Sequence, residues 1–416
     1  MTVFFVSLHP EKKGIIMSKS TLTTKIFSIL PIMTICATMM ISCGKDDPVP
    51  EPPLPQPTTA QITDTVHYAT NHMTAYNFTY LSVDPWGNPA TLSGTITISD
   101  ALTTADTAEG IMLYNHFTIY RADQCPSHGN LGEQAMIVGS NLITISPDYY
   151  GFGVTEDNPQ AYCISSANAQ ASVDALIEAR KLLANMGYHW KDNLFNAGYS
   201  QGGQTAMAVV RLISENYPDI HITRTFAGGG SYDLPATYRR FVVIDRSAMP
   251  STVASVMLSY NHFKQLGIAR DSMFIEPLLS HINEWILSKD YTRQEIDNFV
   301  GTNDISAFIT PTMMDTNSHL SQIMMQALDS DNLCKGWTPR TNENILLLHH
   351  TQDGAVPVEN TISMAAFLQQ NGVNNVELMV DDFGSILGQP AHETGALVFI
   401  NAAKEWLSNY LGITGW

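Results

Sequence analysis

The 416-residue sequence predicts an α/β fold, with a mostly parallel central sheet, helices on both faces and a helical cap inserted late in the chain. Two observations predict it. Short apolar runs alternate with helix-length segments from residue 111 to residue 226, the rhythm of parallel strands joined by crossover helices. A glycine-rich turn, Gly198-Tyr199-Ser200-Gln201-Gly202-Gly203, then links one of those runs to a helical segment, as a sharp strand-to-helix bend requires.

The front of the chain is an address. Lys19 and Lys25 precede an apolar stretch from Ile26 to Ile41 that ends in Ser42-Cys43-Gly44. A basic start, a short apolar core and a small residue before cysteine describe a bacterial lipoprotein signal peptide over residues 1–42, with Met17 as an alternative start. Pro31 interrupts the stretch, which is short for a membrane span; an anchor that keeps Cys43 unmodified is the competing reading. Cleavage before Cys43 makes it the lipidated first residue, and Lys45-Asp46-Asp47 is similar to a surface-export signal of some Gram-negative lineages. Six prolines between Pro48 and Pro57 make residues 43–60 a tether, extended at about 3.1 Å per residue.

Residues 61–230 read as the first part of the core. Residues 64–99 read as an antiparallel hairpin, with alternation in 76–80, a turn at 84–88 and renewed alternation in 92–98. Strands follow from 111, over 142–145, 194–197 and 220–226, with helices over 167–186 and 204–216. Between 231 and 340 the alternation stops, and helix-compatible segments at 251–266, 277–287 and 320–328 predict the cap. Its Met313, Met314, Met324 and Met325 fit either an adaptable acyl lining or plain core. Residues 341–416 complete the core: a buried strand over 344–350, a helix over 358–370, a strand over 376–380 and a last helix from about Glu393.

Three side chains fit a nucleophilic relay on this framework. Ser200 sits at the bend, Asp353 falls where the strand 344–350 ends, and His392 is the only histidine after Asp353. A serine hydroxyl is a weak nucleophile at neutral pH, so an imidazole must take its proton and a carboxylate must hold that imidazole's tautomer. Taken singly, Ser200 is a capping serine, Asp353 a turn aspartate and His392 a helix-start residue; their order joins them. An oxyanion needs prearranged donors. One is the backbone N–H of Gln201, and the other is that of Phe117 or Thr118, after the strand from 111. His116 either shapes that loop or is an ordinary strand-end histidine. Tyr149 and Tyr150, in the loop Asp148-Tyr149-Tyr150-Gly151-Phe152-Gly153, either line a substrate pocket with His116 or pack a structural turn.

With these motifs the chain resembles the α/β-hydrolase superfamily over about residues 65–411, and within it the secretory-lipase branch of fungal lipases and bacterial relatives. The resemblance rests on the Ser200 turn, on Pro147-Asp148-Tyr149-Tyr150-Gly151-Phe152-Gly153, on Asp353 with Val356-Pro357, on His392 and on Asp123-Gln124-Cys125-Pro126-Ser127-His128. It implies an α/β-hydrolase fold and a carboxylic-ester hydrolase. Many bacterial relatives have His-Gly-Thr where this chain has His116-Phe117-Thr118.

Charge excludes some partners. The formal net charge is −18, and loss of residues 1–42, which hold four lysines and one glutamate, leaves −21. Such a surface argues against nucleic acid and against anionic membranes, leaving the lipid anchor as the membrane contact. Beyond Cys43 stand Cys125, Cys163 and Cys334, an odd set that allows one disulfide, expected between Cys125 and Cys163. No metal-ligand motif is present and no cofactor is expected. Ester hydrolysis at the cell envelope leads; candidate substrates are lipids, small esters and acylated glycans. A serine peptidase or acyltransferase on the same fold and an inactive surface binding module are the alternatives.

Overall fold

The computed structural model describes residues 58–129 and 141–412; the leader, Cys43 and most of the proline-rich tether lie outside them. Nine strands form the main sheet among the described residues: β1 (Gln61–Tyr68), β2 (Met73–Val83), β3 (Pro89–Ser99), β4 (Gly110–Asn115), β5 (Leu142–Pro147), β6 (Leu194–Tyr199), β7 (Arg224–Gly228), β8 (Asn344–His350) and β9 (Asn375–Asp381). They lie side by side in the order β1-β2-β3-β5-β4-β6-β7-β8-β9. The first three pair antiparallel, β3 meets β5 antiparallel, and every pairing beyond is parallel. The expected hairpin is β2–β3, and β1 adds a strand at the edge that sequence alternation did not mark.

The parallel strands are buried on both faces, so their residues divide by parity. Ile111 and Leu113 of β4 face one core with Leu347 of β8, while Met112 and Tyr114 face the other with Leu346 and Leu348. On the first face lie α1 (Ser165–Asn185), α2 (Gln201–Asn216) and α7 (Glu359–Gln370). On the second lies α8 (Ala391–Leu411), which sets Phe399, Ile400, Ala403 and Leu407 against Phe195 and Phe226. Each buried Phe, Ile or Leu among them contributes about 1.5–3 kcal/mol.

The cap departs from the sheet between β7 and β8. Its longer helices are α3 (Leu234–Ile244), α4 (Pro250–Phe263), α5 (Arg293–Val300) and α6 (His319–Asp329). A buried carboxylate fastens it to the core: Asp331 accepts from the backbone N–H of Ser166 at 3.1 Å and pairs with Lys264 at 2.7 Å. Met313, Met324 and Met325 are buried in the main core, and Met314 packs against it; none of them lines a cavity at Ser200. The expected Cys125–Cys163 disulfide is not formed, and Cys125, Cys163 and Cys334 are free thiols. Their environments explain it: Cys125 packs with Ile119 and Phe152 in a small separate cluster, whereas Cys163 belongs to the main core. No helix among the described residues is long and apolar enough to cross a membrane.

Candidate active site

The site begins with backbone crowding at the β6–α2 bend. A Cβ on Gly198 would lie 2.2 Å from the carbonyl oxygen of Gly202, and one on Gly202 would lie 2.1 Å from that of Asn115. Only hydrogens fit there, so strand and helix approach closely enough to force Ser200 into a left-handed conformation with φ 59°. The Ser200 N–H is held by the Gly228 carbonyl at 2.8 Å. Ser200 therefore stands at the start of α2, whose unpaired N–H groups and dipole favour negative charge in front of them.

Two loops bring the partners. The turn after β8 presents Asp353, and the first turn of α8 presents His392. Ser200 Oγ lies 2.9 Å from His392 Nε2, and His392 Nδ1 lies 2.6 Å from Asp353 Oδ2. With Nδ1 donating to the carboxylate, Nε2 is left to accept from the serine hydroxyl. The other oxygen, Asp353 Oδ1, accepts from the N–H groups of Ala355 and Val356 at 2.8 and 2.9 Å. The Asp353 side chain is wholly buried and that of His392 nearly so. Burial alone would raise the Asp353 pKa, but the facing imidazole of His392 and the hydrogen bond from His349 hold it well below its ordinary 3.8. For His392, burial disfavours the charge, yet the Asp353 carboxylate outweighs it and raises the pKa above 6.5.

Sequence reasoning missed two supports. His349, four residues before Asp353, places Nε2 3.3 Å from Asp353 Oδ2 and 2.9 Å from the Val356 carbonyl, while its Nδ1 meets Thr361 Oγ1 at 2.6 Å. Inside an apolar strand it read as one more buried residue, and only its spacing to Asp353 could have marked it. Tyr199 sits beneath the imidazole, and its hydroxyl donates to the His392 carbonyl at 2.8 Å.

Gln201, Phe117 and Thr118 all border the space in front of Ser200. The backbone N–H groups of Phe117 and Thr118 have no backbone acceptor among the described residues. His116 lies behind them. It bridges the Phe117 carbonyl at 2.6 Å and the Asp148 carbonyl at 3.1 Å, and it stacks on Tyr149 at 4.1 Å between ring centres. Burial lowers its pKa against the opposing pull of the two carbonyls, and its contacts stiffen the loop. Neither it, Tyr149 nor Tyr150 lines the cavities that meet at Ser200. Tyr149 is buried against His116, and Tyr150 packs on Phe263 of the cap. Asp148 accepts from Ser93 and from the Ser127 N–H, tying the Cys125-Pro126-Ser127 loop to the same support.

Two cavities open from Ser200. One of about 250 Å³ is bordered by His392, Thr118, Gln124, Thr292, Arg293 and Glu393. The other, of about 60 Å³, runs under the cap between α3, α4 and α6. No cluster of three or more metal-ligating side chains occurs among the described residues. The arrangement brings a hydroxyl within hydrogen-bond reach of an imidazole, and that imidazole within reach of a buried carboxylate.

Residues 136–412 match the model of a family described as secretory lipase. No curated protein matches the sequence. Among solved structures, the rice cell wall degrading esterase LipA from Xanthomonas oryzae is similar at 20% identity and a TM-score of 0.71, over 85% of this chain and 97% of that one. Candida antarctica lipase A in its closed state is similar at 12% identity and a TM-score of 0.61, over 86% of this chain and 82% of that one. These likenesses give the α/β-hydrolase fold.

Proposed function

This chain belongs to the secretory lipase family and is a carboxylic-ester hydrolase; we propose that it works through an acyl-serine intermediate on Ser200, with His392 as general base and acid and Asp353 as its orienting carboxylate. Ser200 Oγ attacks the ester carbonyl while His392 Nε2 takes its proton. The oxyanion lies against the N–H of Gln201 and that of Phe117 or Thr118, donors of a kind worth about 3–4 kcal/mol each. Collapse expels the alcohol, protonated by His392. Water activated by the same imidazole then attacks the acyl carbon and returns Ser200 free. The supporting observation is the unbroken line Ser200 Oγ–His392 Nε2 and His392 Nδ1–Asp353 Oδ2, at 2.9 and 2.6 Å. Release of p-nitrophenol from esters by the purified protein, and its loss on removal of the Ser200 hydroxyl, tests the reading.

The pH profile follows from the same pair. General-base attack needs neutral His392, and a raised pKa keeps the imidazolium to higher pH. The acid limb of kcat/KM is therefore expected above pH 6.5, and an acid limb below that value contradicts the pairing. Stability runs differently. The raised His392 pKa contributes stability below 6.5 that is lost as pH rises through the folded value. The lowered Asp353 pKa contributes stability above 3.8 that is lost as pH falls.

Family membership points to export. The finer reading is that the protein is held at the outer face of the cell envelope by lipid on Cys43, beyond a proline-rich spacer. Cys43→Ala is expected to move the protein from the membrane fraction to the soluble fraction, and unchanged fractionation contradicts lipidation.

A further inference from the structure

The two cavities at Ser200 have different owners in the reaction. His392 must hand its proton to the departing alcohol, so the leaving group occupies the cavity that His392 borders, which measures about 250 Å³. The acyl chain is then left with the other cavity, which Ser200 and Gln201 border and His392 does not.

That second cavity is small. It measures about 60 Å³, whereas a cavity of about 150 Å³ is what one benzene ring of six carbons occupies. In proportion it holds about two or three carbons beyond the carbonyl. Its lining includes Phe241 of α3, Val256 and Met257 of α4 and Leu328 of α6. Phe241, Met257 and Leu328 are buried in the main core, so a chain that outgrows this volume on their side meets packed side chains.

Resting on the acyl-Ser200 reading, we infer that the enzyme selects short acyl groups, of about four carbons or fewer, because the cap helices leave only this small volume beside Ser200. The substrate class is an acetyl to butyryl ester, and long-chain acylglycerols are poor substrates. Phe241, Val256, Met257 and Leu328 determine this specificity through the space they fill. They touch no reacting atom.

The test is a chain-length series at constant leaving group, p-nitrophenyl acetate through p-nitrophenyl laurate, on the full protein and its variants. The wild type is expected to peak between acetate and butyrate, with kcat/KM for octanoate at least about tenfold lower. Phe241→Ala and Leu328→Ala are expected to raise the octanoate-to-acetate ratio about tenfold. Val256→Phe, which adds volume at a half-buried position, is expected to suppress butyrate relative to acetate by a similar factor, and it stands if the enlarging variants do not fold. A Ser200-dependent wild type that prefers octanoate or laurate overturns the inference and leaves the acyl-serine reading intact. So does a chain-length profile that Val256→Phe leaves unchanged. Absence of Ser200-dependent turnover at every chain length overturns both.

Discussion

Ser200→Ala is expected to lower kcat for ester hydrolysis by roughly a millionfold while the protein stays folded. The size follows from covalent catalysis: without the hydroxyl there is no acyl intermediate, and only binding and the oxyanion donors remain to assist water. The fold should survive because the side chain's hydrogen bond goes to His392, while the position of the bend is held through the backbone, by Ser200 N–H to Gly228 and by the crowded glycines at 198 and 202. Alanine and serine meet the same penalty at φ 59°, so the exchange adds no new strain. Thermal unfolding and kcat measured on one preparation separate the two effects. A variant that keeps more than about a tenth of the activity removes Ser200 as nucleophile.

Asp353→Asn is the second large effect, about ten-thousandfold in kcat with little change in substrate binding. Oδ1 of Asp353 accepts two backbone N–H groups, from Ala355 and Val356, and only the amide oxygen of asparagine can do so. The NH2 group must then face His392 Nδ1, where it can only donate. The imidazole is driven to the tautomer with its hydrogen on Nε2, and it can no longer take the proton of Ser200. His349 Nε2, 3.3 Å from Oδ2, faces that NH2 as well. A loss under about tenfold contradicts the orienting role.

The Ser200 bend was legible because close backbone approach demands glycine at fixed positions, and that demand is local in sequence. Asp353 and His392 were legible through the order of strands, since each follows a strand end or opens a helix at one edge of the sheet. What supports them was not. Tyr199 acts through His392, 193 residues away along the chain, and His349, though only four residues before Asp353, is hidden inside an apolar strand. The expected disulfide failed for the same reason, since cysteine number says nothing of the separate clusters that enclose Cys125 and Cys163. Of the two readings open for the cap methionines, packing settled on plain core for Met313, Met324 and Met325, while Met257 borders the small cavity at Ser200.

The central claim is that the Ser200 hydroxyl is the group that becomes acylated. A fluorophosphonate reports this directly, because the activated oxygen displaces fluoride and keeps the phosphonyl group, which peptide mass mapping then locates. The account predicts a single label on Ser200, absent from Ser200→Ala and strongly slowed in His392→Ala. A label on another residue, or equal labelling of Ser200→Ala, contradicts it.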